Sequence, residues 1–219
     1  MAAPDERRAR LRAARLYLVI EAAAARDVVP AALRGGVDVV QLREKDAPDD
    51  AVVAAGCALR AICDEHGALL VVNDRPDLAL ACAADGVHMG QDDEAASRVR
   101  ETFGPRLLIG LSTHNPSQVA AAERAPEVDY LGVGPVYETA TKPGVEPVGL
   151  ELVRHAAAHA RKPWFAIGGI DAERAAAVAE AGAGRIAVVR AIRDASDPQD
   201  AAAALREALV KEPVGGQAQ

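Results

Sequence analysis

Short apolar runs rich in branched side chains alternate along this chain with longer Ala/Arg/Glu-rich stretches whose apolar positions recur at helical spacing. The runs fall at Leu16–Ile20, Val39–Leu42, Ala68–Val72, Gly86–Met89, Leu107–Leu111, Tyr130–Val133, Trp164–Ile167 and Arg185–Val189, eight in all. Helices are predicted between them, among others over Asp49–His66, Asp93–Phe103, Pro116–Arg124, Leu150–Ala160 and Asp171–Ala181. Asp49-Asp50, Asp92-Asp93, Asn115 before Pro116, and Asp171 stand at helix starts, where a short polar side chain accepts from backbone N–H groups that lack a partner. Gly35, Gly67, Gly104 and Gly182 stand at helix ends, where a left-handed residue is cheapest as glycine.

Eight strands alternating with helices predict an α/β fold, a single-domain (β/α)8 TIM barrel; an open doubly wound sheet is the alternative that the strand count disfavours. The barrel is expected over 16–211, after a partly frayed N-terminal arm at 1–15 and before a disordered tail at 212–219. The chain is short for a barrel, which usually takes about 250 residues, so compact helices and brief loops are expected.

Composition narrows the function. With half of the residues hydrophobic but only 3% aromatic, the core is expected to consist of Val, Leu, Ile and Ala. The scarcity of rings and a net charge of −7 argue against a nucleic-acid partner and favour small-molecule substrates. Cys57, Cys63 and Cys82 lack metal-site or disulfide spacing and read as small buried hydrophobes in a reducing compartment. The apolar run at Leu16–Ile20 is too short for a membrane span or signal peptide, which points to a cytoplasmic protein; a homo-oligomer stays open.

In a barrel the functional groups collect at the C-terminal ends of the strands, and the polar residues of this chain follow that rule. After the second run, Gln41, Arg43 and Lys45 share a parity, while Leu42 and Glu44 point the other way. Two cations and an amide aimed into one mouth suit a diphosphate; the alternative is that Arg43 and Glu44 pair with helices outside. Asp74, beside Asn73, and Asp93 follow adjacent strands, and two carboxylates without a histidine cluster favour Mg²⁺, although both could instead be helix caps. The segment from Thr139 through Thr141 and Lys142 to Gly144 has the hydroxyls, cation and flexible end of a phosphate-gripping loop. Gly168-Gly169 before Asp171 matches the late-strand phosphate site of many barrels. His114 is either a general acid/base or a loop histidine bonded to backbone.

These stretches, with Gly86 to Asp93 and Gly110-Leu111-Ser112-Thr113-His114, resemble the thiamine phosphate synthase family in order and spacing over about Leu16 to Ile192. The resemblance implies a Mg²⁺-dependent transferase that joins 4-amino-2-methyl-5-hydroxymethylpyrimidine diphosphate to 4-methyl-5-(2-phosphoethyl)thiazole and releases pyrophosphate. It further implies that Arg43, Lys45 and Lys142 hold the diphosphate, that Gln41 and Asn73 contact the pyrimidine, and that Ser112 lies against the pyrimidine and its leaving group. Asp74 and Asp93 would bind Mg²⁺. Thr139, Thr141, Gly169, Val189 and Arg190 would receive the thiazole phosphate. Two departures stand out: Arg190 where the family often has a small hydroxyl residue, and Asp92 where Glu is commoner, which makes Asp92 a rival metal ligand. The alternatives are a thiazole tautomerase of the same barrel family, using His114, and a non-catalytic phosphate-binding barrel.

Overall fold

Eight parallel strands close on one another in chain order: β1 (Leu16–Ile20), β2 (Val39–Leu42), β3 (Leu69–Asn73), β4 (Gly86–Met89), β5 (Leu108–Thr113), β6 (Tyr130–Val133), β7 (Trp164–Ile167) and β8 (Ile186–Val188), which pairs back with β1. The structure is a computed structural model and describes residues 3–139, 144 and 146–210. Helices follow each strand in the TIM-barrel manner: α2 (Ala22–Arg34), α3 (Asp49–His66), α4 (Pro76–Ala81), α5 (Ala96–Phe103), α6 (Pro116–Arg124), α7 (Gly149–His159) and α8 (Ala172–Glu180), with α9 (Arg190–Arg193) and α10 (Pro198–Val210) after β8. No helix among the described residues is long and apolar enough to cross a membrane.

Alternation along each strand creates two cores. One parity (Leu16, Leu18, Ile20, Val40, Leu42, Leu70, Val72) packs outward under the helices with their Ala, Val and Leu faces. The other fills the lumen with Tyr17, Val19, Val39, Leu69, Val71, Leu108, Tyr130, Phe165 and Ala187. The outer layer has the aliphatic composition expected; the lumen does not. Phe165 meets Tyr17 and Tyr130 edge-on, with ring centroids 5.2 and 6.0 Å apart. The scarce rings are concentrated where three large flat side chains can fill one narrow barrel.

The N-terminal face is built for stability. Asp38, Asp85 and Asp129 immediately precede β2, β4 and β6. Their carboxylates accept from the backbone N–H of Leu16, Leu70 and Ile109 at 3.0, 3.0 and 2.9 Å. Each is also paired with an arginine, Arg206 at 2.7 Å, Arg60 at 2.5 Å and Arg100 at 2.6 Å.

Several sequence expectations need correction. The arm predicted to fray contains a helix, α1 (Pro4–Ala13). Arg7 and Leu11, one helical turn apart, are both buried. Leu11 joins the lumen cluster, while the Arg7 guanidinium donates to the carbonyls of Asp85 and Pro105, each at 3.2 Å, and of Arg106. At the end of α2, Gly35 is right-handed and Gly36 takes the positive φ of 101°. The fifth helix begins at Ala96 rather than Asp93, because the Asp93 carboxylate turns back to accept from Gly90 N–H at 2.5 Å. Asn115 and Asp171 do cap α6 and α8, accepting from Gln118 and Arg174 N–H. Cys63 and Cys82 are buried, but Cys57 is exposed on α3. The predicted tail at 212–219 lies outside the described residues.

Candidate active site

At the C-terminal end of the barrel the lumen opens into a cavity of ≈ 360 Å³. Gln41, Asn73 and Ser112 line it from β2, β3 and β5, and Arg43 from the position just after β2. Thr139, Gly169, Val189 and Arg190 line it from the loops after β6, β7 and β8. Eight of the predicted site residues therefore share one cavity. Lys45 and Asp74 instead line a neighbouring hollow of ≈ 390 Å³, which shares Asn73 with the first. Asp93 lines neither, and Thr141 and Lys142 lie outside the described residues.

The parity reading therefore holds for Gln41 and Arg43 but not for Lys45. Strand β2 ends at Leu42, and beyond it the chain no longer alternates. Glu44 takes the helix-pairing role considered for it, its carboxylate accepting from Ala22 N–H at 2.5 Å.

Asp74 sits in an unusual backbone state, with φ 61°, in the left-handed region that few side chains tolerate. Its N–H donates to the His88 carbonyl at 2.9 Å, and its carboxylate accepts from Asn73 Nδ2 at 2.5 Å. The next residue secures this turn. Arg75 donates to both oxygens of Asp49 at 2.8 Å and to Asp77, fastening the loop after β3 to the start of α3. Hydrogen bonding from Arg75 holds the Asp49 and Asp77 carboxyls below the usual carboxylate range.

Among the described residues no three His, Cys, Asp or Glu side chains gather where they could enclose a metal ion. The donor chemistry nevertheless fits Mg²⁺. Asp74 and Asp93 follow the paired strands β3 and β4 and offer only carboxylate oxygens, and Mg²⁺ commonly takes one or two carboxylates and completes its shell with water and substrate phosphate.

On the opposite side, the loops after β6 and β7 are laced together. Val136 N–H donates to Ile167 and Tyr137 N–H to Gly168 carbonyl oxygen at 2.8 and 3.0 Å. Gly168 and Gly169 have φ 105° and 63°, and a Cβ on either would press on Pro135 Cα at 2.5 Å or on the Glu138 carbonyl at 2.6 Å. Glycine is thus required by conformation and by space. Arg174 from α8 completes this wall, donating to the Gly169 carbonyl at 2.8 Å.

Sequence reasoning missed the cavity floor. Gln41 Nε2 donates to Tyr17 Oη at 2.7 Å, Tyr17 Oη lies 3.1 Å from Tyr130 Oη, and Tyr130 Oη lies 3.2 Å from His88 Nδ1. His88 Nε2 is 3.0 Å from Ser112 Oγ. Burial pushes both phenols above their ordinary pKa, so both stay protonated. The available signal was parity: His88 is two residues after Gly86, and Tyr17 and Tyr130 occupy lumen positions. His114 also lines the cavity, with Nδ1 bonded to the Gly134 carbonyl. A carbonyl only accepts, so that nitrogen carries the proton and the backbone-bonded reading describes its Nδ1 side.

Comparison with known proteins places the chain in a family. The family described as thiamine monophosphate synthase matches residues 16–192. A thiamine-phosphate synthase of Gloeobacter violaceus is 56% identical over 192 residues, covering 87% of this chain; the chain spans 56% of that relative's length. One from Saccharopolyspora erythraea is 49% identical, covering 92% of this chain and 96% of its own. Among solved structures, a thiamine phosphate pyrophosphorylase from Pyrococcus furiosus superposes with TM-score 0.80 at 34% identity, covering 92% of this chain and 96% of its own.

Proposed function

The chain belongs to the thiamine monophosphate synthase family, and from that premise we propose that it condenses 4-amino-2-methyl-5-hydroxymethylpyrimidine diphosphate with 4-methyl-5-(2-phosphoethyl)thiazole, releasing pyrophosphate and forming thiamine phosphate. The observation that carries this reading is the occupancy of one cavity by two unlike ends. Gln41, Arg43, Asn73 and Ser112 stand on one side, and the Gly168-Gly169 turn, Val189 and Arg190 stand on the other. The first set suits a polar ring with an anionic leaving group, the second a phosphate monoester.

Breaking the pyrimidinylmethyl carbon–oxygen bond sends its electron pair to the departing pyrophosphate. Arg43 meets that charge with a forked guanidinium and Lys45 with an ammonium from the adjoining hollow. Lys142 is proposed as a third cation on the strength of the family motif. Asp74 and Asp93 are the proposed holders of Mg²⁺, which when bound would neutralise diphosphate charge. Gln41 and Asn73 orient the pyrimidine, whose electron-rich ring disperses the developing positive charge, and the thiazole nitrogen then supplies the pair for the new carbon–nitrogen bond. Thr139, Thr141, Gly169, Val189 and Arg190 hold the thiazole phosphate so that this nitrogen faces the reacting carbon. No protein nucleophile is required.

A coupled assay for pyrophosphate tests the reading. Release should require both substrates and Mg²⁺; purified folded protein that releases none overturns it, and a covalent enzyme adduct trapped in turnover overturns the dissociative step.

A further inference from the structure

The hydrogen bonds along the cavity floor form one chain across the barrel, from Gln41 on β2 through Tyr17 on β1, Tyr130 on β6 and His88 on β4 to Ser112 on β5. Its two end residues line the cavity as parts of the proposed pyrimidine site, and Tyr17 and Tyr130, almost wholly buried, line its floor. Room for the chain comes from absent side chains. A Cβ on Gly110 would fall 2.5 Å from His88 Nδ1, and one on Gly132 would fall 3.2 Å from the His88 ring.

The chain has a direction. An amide nitrogen only donates, so Tyr17 accepts from Gln41 and keeps its own proton for Tyr130. Tyr130, having accepted, gives its proton to His88 Nδ1. Of the two senses open to the tyrosine pair, this one places every hydroxyl proton within the chain. A neutral imidazole that accepts at Nδ1 carries its proton on Nε2 and donates it to Ser112 Oγ. Ser112 then has its own proton to offer. At the other end, bonding one N–H of Nε2 to Tyr17 fixes which way the Gln41 amide faces, so that its carbonyl oxygen is held as the acceptor beside the second N–H. The floor thus presents an acceptor on the β2 side and a donor on the β5 side, with the same proton order fixing both.

We infer that Tyr17, Tyr130 and His88 are positioning residues that fix opposite hydrogen-bond polarity at Gln41 and Ser112, and so select a pyrimidine with an exocyclic amino donor and an unprotonated ring nitrogen over its oxo counterpart. This deepens the proposed function and rests on it for the identity of the ring. An oxo group would set a carbonyl against the Gln41 carbonyl, and the protonated nitrogen of the oxo ring would confront a donor. A buried mismatch of this kind weakens binding by about tenfold or more.

The test compares the 4-amino and 4-oxo pyrimidine diphosphates with Mg²⁺, by calorimetric binding and separately by pyrophosphate release with the thiazole phosphate. The native protein should prefer the amino ring by at least about tenfold in binding. Tyr130→Phe keeps the ring on the cavity floor and breaks the chain by removing one hydroxyl; Tyr17→Phe does so next to Gln41 and serves if the first variant folds poorly. In either, the preference should collapse to within about threefold, while KM for the thiazole phosphate stays within about twofold. An intact preference in a folded variant, or equal weakening on both rings, overturns the relay while leaving the synthase reading in place. A native preference without turnover overturns the synthase reading and leaves the relay. A native protein that binds the two rings equally, or neither, overturns the relay outright.

Discussion

The guanidinium of Arg174 lies 5.0 Å from the centre of the Tyr137 ring while donating to the Gly169 carbonyl at 2.8 Å. One side chain from α8 thereby holds the loop after β6 against the loop after β7, at the end of the cavity assigned to phosphate. It also lies 3.6 Å from Asp171, which caps its own helix. Arg174→Ala removes a cation–π contact and a charged hydrogen bond, together worth about 1–2 kcal/mol at a half-exposed position. KM for the thiazole phosphate should rise about 5- to 20-fold with kcat little changed, and Lys should recover only part of the loss because it lacks the flat guanidinium. Steady-state kinetics varying each substrate in turn checks this; a rise confined to the pyrimidine substrate contradicts the assignment of this end.

Asp74 separates backbone from charge. Asn tolerates the left-handed region nearly as well as Asp, whereas Ala does not. Asp74→Asn should keep its melting temperature and need at least about tenfold more Mg²⁺ for half-maximal rate. Asp74→Ala should lose activity and also about 1 kcal/mol of stability. Asp92→Asn should change the Mg²⁺ requirement by less than about threefold. Titration of Mg²⁺ in the rate assay, beside thermal melts, reads all three, and a larger effect at Asp92 than at Asp74 would exchange their roles.

How much of this was legible in the sequence depends on where strands stop. Gln41, Asn73 and Ser112 lie within or at the ends of strands, and a two-residue period finds them. Lys45 lies three residues past the end of β2, where nothing propagates the period, so its place beside Asp74 came only from the fold. The floor was hidden differently. The lumen positions flanking His88 on β5 and β6 are Gly110 and Gly132, and glycine leaves no apolar or polar signal by which to read a face. The docking of the N-terminal helix was hidden because one of its two buried residues is an arginine, whose partners are the carbonyls of Asp85, Pro105 and Arg106.

That arginine makes a stability prediction independent of chemistry. Arg7 is 2% exposed, and its replacement by Met keeps length and apolar stem while stranding three carbonyl acceptors. Hydrogen bonds from a charged group contribute about 1.5–3 kcal/mol. Arg7→Met should lower the unfolding free energy by about 2–3 kcal/mol in urea titrations. kcat should stay within about twofold, since the residue sits at the closed end of the barrel. A loss under about 0.5 kcal/mol would show that the helix contributes no closure there.

Cys63 gives the fold a pH dependence of definite sign. Burial pushes its thiol up to about 12, the opposing effect of Arg60 being smaller. In the unfolded chain a thiol ionises near pH 8.5. The folded protein therefore holds a proton that the unfolded chain has released, and stability present in full below about pH 8.5 is lost as pH rises toward 12, by up to about 1.4 kcal/mol per pH unit. Cys63→Ala removes the titration at the expense of a small void, so at pH 7 the native protein should be more stable by about 1 kcal/mol. The difference should shrink above about pH 8.5 and reverse by about pH 10. The buried phenols of Tyr17 and Tyr130 also favour unfolding at high pH, but they do so in both proteins and cancel from the comparison. Urea unfolding of the pair at intervals from pH 7 to 10.5 measures the difference directly, and a value independent of pH would mean that the Cys63 thiol ionises as readily folded as unfolded.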